Sequence, residues 1–223
     1  MAPTSGQSMD PESDRPSPVP PASAAQRRGM RDIILAQCFG CTGLVAFKHG
    51  LILLLLTALG FGSALVMVCL ALPFAFRAML TIPGAYWADR YGKKRLGRFG
   101  LLLTAVGFGT AAGALFLEGD GMRVGVVAGL VTFAVGDAFM ASSWFALLSA
   151  IVPELERGRF FGRLRFSWQT VGIAFFAVAS FLLSKDSPPR AFVPLLAAIA
   201  VGQLVRFFTY LRIPELEKPV PRQ

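Results

Sequence analysis

The sequence predicts an all-α membrane protein built from six transmembrane helices. Three observations carry that prediction. The 223-residue chain is 54% hydrophobic and only 16% charged, where a soluble domain carries about a quarter charged residues. Its apolar residues gather in runs long enough to cross a hydrocarbon layer, which takes about 20 residues each. Its cations gather at the ends of those runs, which alternate between rich and poor in Lys and Arg, the pattern that orients membrane spans. Orientation in a bilayer therefore explains the net charge of +9, and no nucleic-acid partner is implied.

Residues 1–31 come first. They hold Pro3, Pro11, Pro16, Pro18, Pro20 and Pro21 among Ser, Gln and Ala. Such a segment buries too little apolar surface to offset its ordering entropy, so it reads as disordered. A signal peptide is not expected, because the segment lacks an apolar centre and carries acids where a basic start belongs. Arg27, Arg28 and Arg31 mark the membrane edge.

Residues 33–88 are interrupted only by Lys48, His49 and Arg77. That length suits two spans, and Gly60-Phe61-Gly62-Ser63 is the natural turn, with Ser63 an expected N-cap. Spans 1 and 2 are placed at 33–58 and 63–88. Span 3, at 97–117, contains Gly107, Gly109 and Gly113, small residues that let helices approach closely in lipid. Glu118-Gly119-Asp120-Gly121 turns into span 4 at 123–150. A polar loop over 152–159 leads to span 5 at 162–184. An outer turn over 185–190 leads to span 6 at 191–212, and 213–223 form a polar tail.

Lys and Arg sort these loops by side. One set holds three over 27–31, five over 90–98, four over 157–165 and three over 212–222. The other holds none over 57–62, then Arg123 alone, then Lys185 and Arg190. The rich set belongs in the cytoplasm, so both termini are expected inside.

The loop between spans 2 and 3 reads Ala85-Tyr86-Trp87-Ala88-Asp89-Arg90-Tyr91-Gly92-Lys93-Lys94. It resembles the signature G-x-L-A-D-R-x-G-R-K of the major facilitator superfamily. Asp89, Arg90, Gly92, Lys93 and Lys94 match. Ala85 stands where the leading Gly belongs, with Gly84 one residue early, and Trp87 replaces Leu. The polar loop over 152–159 resembles the one between spans 4 and 5 of the same superfamily. The resemblance implies two three-helix inverted repeats within one six-helix half of a transporter. It also makes 213–223 the start of a central linker. Sequence self-similarity between the two triplets is too faint to read.

Ionisable groups inside a span are costly and mark function by default. By a rise of 1.5 Å per residue, Lys48, Asp137 and Arg77 lie roughly 22, 19 and 16 Å from the cytoplasmic helix ends. These three share the middle of the bilayer. Asp137 is the one acid within the spans and calls for a partner, with Lys48 and Arg77 both of the right sign. The resemblance implies that spans 1 and 4 line a central cavity with 2 and 5 alongside. Lys48, Asp137, Arg77 and His49 are then candidates for substrate contact or proton coupling. The competing reading is a buried pair that only fixes helix register. Arg206, roughly 9 Å deep by the same rise, is expected to snorkel to the surface. Gln37, Ser142, Ser143, Trp168 and Gln169 are further polar groups able to meet a solute, or, for the first three, to bond between helices.

The resemblance also implies a latch. Asp89 and Arg90 of the 2–3 loop, with Gly92, Lys93 and Lys94, are expected to pair with Arg157, Arg159 or Glu154 of the 4–5 loop and to release as the protein rocks. Cys38, Cys41 and Cys69 lie in apolar runs and read as packing residues; no metal site or disulfide is expected. No catalytic cluster, nucleotide loop or cofactor motif is present in the sequence, so an enzyme is not expected. The reading is a multi-pass protein of the cell membrane (the inner membrane in a bacterium). Its partners are the lipid bilayer, a small-molecule substrate, a coupling proton or cation if transport is coupled, and a second six-helix half. That half would come from a separate chain, sequence beyond this one, or a self-dimer. The alternative is a non-transporting scaffold or assembly protein, whose mark would be mid-membrane charges that satisfy one another.

Overall fold

The computed structural model of the chain describes residues 23–184 and 187–213, with the side chains at 145, 146, 149 and 150 left aside. The segment 1–22, the tail 214–223 and the Lys185-Asp186 pair lie outside the described residues. Among the described residues, seven α-helices run α1 (Ala24–Lys48), α2 (Leu51–Ala58), α3 (Ser63–Tyr91), α4 (Lys93–Ala114), α5 (Gly119–Ile151), α6 (Arg157–Leu182) and α7 (Val193–Arg212). Six helical segments are long and apolar enough to cross a membrane, and all belong to these helices or to their flanking single turns.

Three boundaries depart from the sequence reading, each for a local reason. Helix α1 starts at Ala24, so residues 24–31 are helical although they were assigned to a disordered segment. A capping box starts it: Ser23 Oγ accepts from the Gln26 amide at 3.2 Å, and Gln26 Oε1 accepts from the Ser23 amide at 2.8 Å. Each bond satisfies a donor that the helix leaves open. Span 1 is also not continuous. Gly50 has φ 89° and separates α1 from α2, a left-handed conformation that glycine adopts without strain. Ser63 is the first residue of α3 rather than its cap; Gly62 caps it through the backbone alone.

The hairpin between α3 and α4 is one residue. Gly92, at φ 98° and ψ 131°, ends one helix and starts the next. Asp89 and Arg90 therefore lie in the last turn of α3, and Lys93 and Lys94 in the first turn of α4.

The helices pack side by side in the order α3, α5, α4, α7, α1, α6. Helices α4 and α5 make the tightest of these contacts. A Cβ at Gly100 would lie 2.6 Å from the Gly136 carbonyl oxygen, and one at Gly107 would lie 2.7 Å from that of Gly129. Each pair sits two turns along its helix from the other, so one glycine-lined face serves both. Gly109 and Gly113, expected to share this role, face open space; two and six residues past Gly107 point elsewhere on a helix with 100° per residue. Phe47, Phe108 and Phe133 stack in one apolar cluster, with Phe108 and Phe133 ring centres 4.7 Å apart. A second cluster around Leu101, Met140, Trp144 and Tyr210 fills the other end of the bundle.

Candidate functional site

Helix α3 lies along α5, and this contact decides which cation meets Asp137. Arg77 Nε donates to Asp137 Oδ2 at 2.7 Å and Arg77 Nη2 to Oδ1 at 3.0 Å. Two parallel bonds from one guanidinium to one carboxylate form the strongest geometry available to such a pair. The Asp137 side chain is 8% exposed and that of Arg77 is 36% exposed. The acid is thus buried while the cation keeps an open edge.

Lys48 is not the partner. It ends α1, which meets α5 only marginally, and its Nζ lies 5.9 Å from the ring centre of Phe74 on α3. His49 turns the other way, its ring 5.3 Å from that of Phe176 on α6. Both are exposed. The two residues before Gly50 therefore bridge α1 toward α3 and toward α6.

The break at Gly50 is a feature that the sequence reading missed. On its two sides, the His49 amide donates back to Val45 and the Leu54 amide back to Gly50. No backbone bond joins α1 to α2 among the described residues. Irregular backbone at membrane depth persists only inside protein or beside water. A glycine between a Lys-His pair and an apolar run was its one sequence signal.

Arg206 does not snorkel. It is 8% exposed and packs on α1 where Gly40 has no side chain, its Cδ and Nε taking the space that a Cβ would fill. Its Nη2 donates to Gln37 Oε1 at 3.3 Å, and its guanidinium carbon lies 5.7 Å from the Trp144 ring centre. Its Nε is buried with no hydrogen-bond partner. No carboxylate pairs with it among the described residues. Gln203, one turn earlier on α7 and fully buried, donates to the Gly40 carbonyl at 3.1 Å and accepts from Thr104 at 3.3 Å. Gln37 is thus tied to Arg206. Ser142 and Ser143 bond chiefly to the backbone of α5 itself. The carbonyl of Trp168 accepts from Cys41 Sγ at 3.5 Å, and Gln169 is exposed.

Among the described residues, no ion pair or hydrogen bond joins Asp89 or Arg90 to the 152–159 loop. Asp89 is exposed and makes no ion pair or hydrogen bond among the described residues. Arg90 donates to the Tyr86 hydroxyl at 3.3 Å. Arg157 pairs with Glu154 of its own loop at 3.5 Å. Arg159 faces a cavity between α1 and α6. Lys94 Nζ donates to the Ile213 carbonyl at 2.7 Å, so the hairpin is fastened to the end of α7 instead. Gly84, the displaced glycine, is buried against Ser142 of α5, where a Cβ would lie 2.5 Å from the hydroxyl oxygen. It performs the close packing that Ala85, which is exposed, does not.

Among the described residues, no group of three or more His, Cys, Asp or Glu stands together as metal ligands. Cys38, Cys41 and Cys69 are free thiols.

A solved bacterial homologue of the iron transporter ferroportin, in its inward-facing state, shares this fold with a TM-score of 0.68 at 17% identity. The match covers 85% of this chain and 45% of that one, so the present chain spans less than half of its length. A search of curated proteins finds no match. The family model described as Major Facilitator Superfamily matches residues 33–223. With its membrane helices and its Asp-Arg-x-Gly-Lys-Lys hairpin, the chain belongs to the major facilitator superfamily, a family of multi-pass membrane transporters.

Proposed function

We propose that the chain is the N-terminal six-helix half of a secondary transporter, and that it moves a small anionic solute by alternating access. The observation that carries the reading is the pairing of Asp137. Because Arg77 occupies it through two bonds, Lys48 and Arg206 are left without an acid partner among the described residues. A cation deep in a span costs about 3 kcal/mol, and a solute carboxylate or phosphate offsets that cost at Lys48, beside the break at Gly50. A scaffold would be expected to pair its own mid-membrane charges, and neither of these two has an acid partner among the described residues.

The packing order supports two inverted repeats. Exchanging α1 with α5, α3 with α6 and α4 with α7 maps the five main helix contacts onto one another. Both termini lie in the cytoplasm by the distribution of Lys and Arg. A second six-helix half completes the pathway across the face formed by α1, α5, α3 and α6. Asp89 and its loop serve as a latch toward that half, in keeping with the lack of a partner for Asp89 among the described residues. A coupling proton or cation is compatible with the Arg77–Asp137 pair.

Thermal unfolding of the purified protein in detergent, against a panel of small anions, cations and neutral solutes, tests the reading. At least one carboxylate or phosphate solute should raise the midpoint, and Lys48→Gln should abolish that rise. Stabilisation by cationic or neutral solutes alone would overturn it.

A further inference from the structure

A cavity of about 440 Å³ opens between the first turns of α1 and α6, within the size of a small-molecule cleft. Arg27 and Arg31 line it from α1, and Arg159 and Arg163 from α6, each pair four residues apart on one helix face. Like charges at that spacing repel, and here two such pairs also face each other. None of the four side chains makes an ion pair or hydrogen bond among the described residues. One acid, Glu156, shares the lining, and it too has no cation partner there. Four convergent guanidiniums against one carboxylate leave the cavity strongly positive.

The lining is also graded. The arginines occupy the helix starts, at the end of the bundle that carries the Gly92 hairpin. Met30, Ile34, Leu35 and Phe160 supply the apolar wall, and Ile34 and Leu35 lie farther along α1 toward the membrane interior. A ligand that fits both parts is anionic at its head and apolar below.

We propose that this cavity is a binding site for the phosphate headgroup of an anionic phospholipid, with its acyl chains along Ile34 and Leu35. Arginine forks bind phosphate oxygens bidentately, and basic clefts between membrane helices are suited to such headgroups. Glu156 accepts from a hydroxyl or ammonium elsewhere on the headgroup. The site is separate from Lys48, which lies at the far end of α1, so the lipid stabilises or positions α6 against α1 rather than being carried.

Native mass spectrometry of the full chain, released from vesicles of mixed phosphatidylglycerol and phosphatidylcholine, reads the retained lipid. Phosphatidylglycerol adducts should exceed phosphatidylcholine adducts, and Arg159→Gln/Arg163→Gln should reduce them about tenfold or more. Arg27→Gln/Arg31→Gln, on the other wall, should do the same should the first pair disturb folding. Arg165→Gln, which does not line the cavity, should leave them unchanged. Displacement of the lipid by millimolar inorganic phosphate would confirm the phosphate chemistry and assign the site to a soluble anion as well. Equal retention of the two lipids, or adducts indifferent to both arginine pairs, would overturn the proposal.

Discussion

Arg77 of α3 holds Asp137 of α5 through two hydrogen bonds, at 2.7 and 3.0 Å, with the acid buried and the arginine about one-third exposed. Removing one partner of a buried pair costs about 3–5 kcal/mol. Water at the open edge of Arg77 screens this pair, so Asp137→Asn should cost about 1–3 kcal/mol. Its thermal midpoint in detergent should fall, and Arg77→Gln/Asp137→Asn should recover part of the loss because no bare charge remains. Transport should stay more than tenfold reduced in both. Unchanged transport and pH dependence in a well-expressed Asp137→Asn protein would remove the pair from the mechanism.

The α4–α5 contact makes a sharper stability prediction. A methyl group at Gly100 would meet the Gly136 carbonyl at 2.6 Å and the Met140 amide at 2.8 Å, both backbone atoms that cannot turn aside. Gly100→Ala should therefore destabilise by about 1–3 kcal/mol through overpacking. Gly109→Ala faces open space and should be neutral or stabilising by up to about 1 kcal/mol. Thermal unfolding of the two variants side by side checks the difference.

At Gly50 the cost is conformational. Its φ of 89° excludes most side chains while nothing lies within 4 Å. Gly50→Ala should cost about 1–2 kcal/mol, and Gly50→Asn less, because asparagine tolerates left-handed backbone. Gly62→Ala, equally open but at φ −65°, loses only the preference for glycine at a helix N-cap and should cost less, about 0.5 kcal/mol.

Asp89 is exposed and without a partner within the described residues, so its role is separable from stability. Asp89→Ala should change the unfolding free energy by less than about 0.5 kcal/mol and leave membrane insertion intact. Solute uptake should fall about tenfold or more. Wild-type uptake would sink the latch.

The helices and the charged hairpin were legible because run length and loop charge are read residue by residue along the chain. That Asp137 needs a partner was legible too. Which partner it takes was not, because Lys48 and Arg77 share its depth and differ in which helix packs beside α5. Arg206 was misread for a related reason. Depth alone favours snorkelling, but the absence of a side chain at Gly40, on another helix, opens a place for the guanidinium inside the bundle. The break after His49 was hidden because α1 and α2 are both apolar, and only the backbone of Gly50 distinguishes two helices from one. The cavity beside Arg27 and Arg159 needed α1 and α6 set side by side; in the sequence those arginines only mark membrane edges.

The proposed transport requires Lys48 to lie on a water-filled path across the membrane. With Cys38, Cys41 and Cys69 replaced by alanine, Lys48→Cys can be exposed to a charged, membrane-impermeant thiol reagent in native membranes. Val106→Cys, exposed on α4, serves as the comparison. Labelling at position 48 should be at least tenfold faster than at position 106, and slowed by any solute that stabilises the protein. Equal, slow labelling at both positions would contradict it.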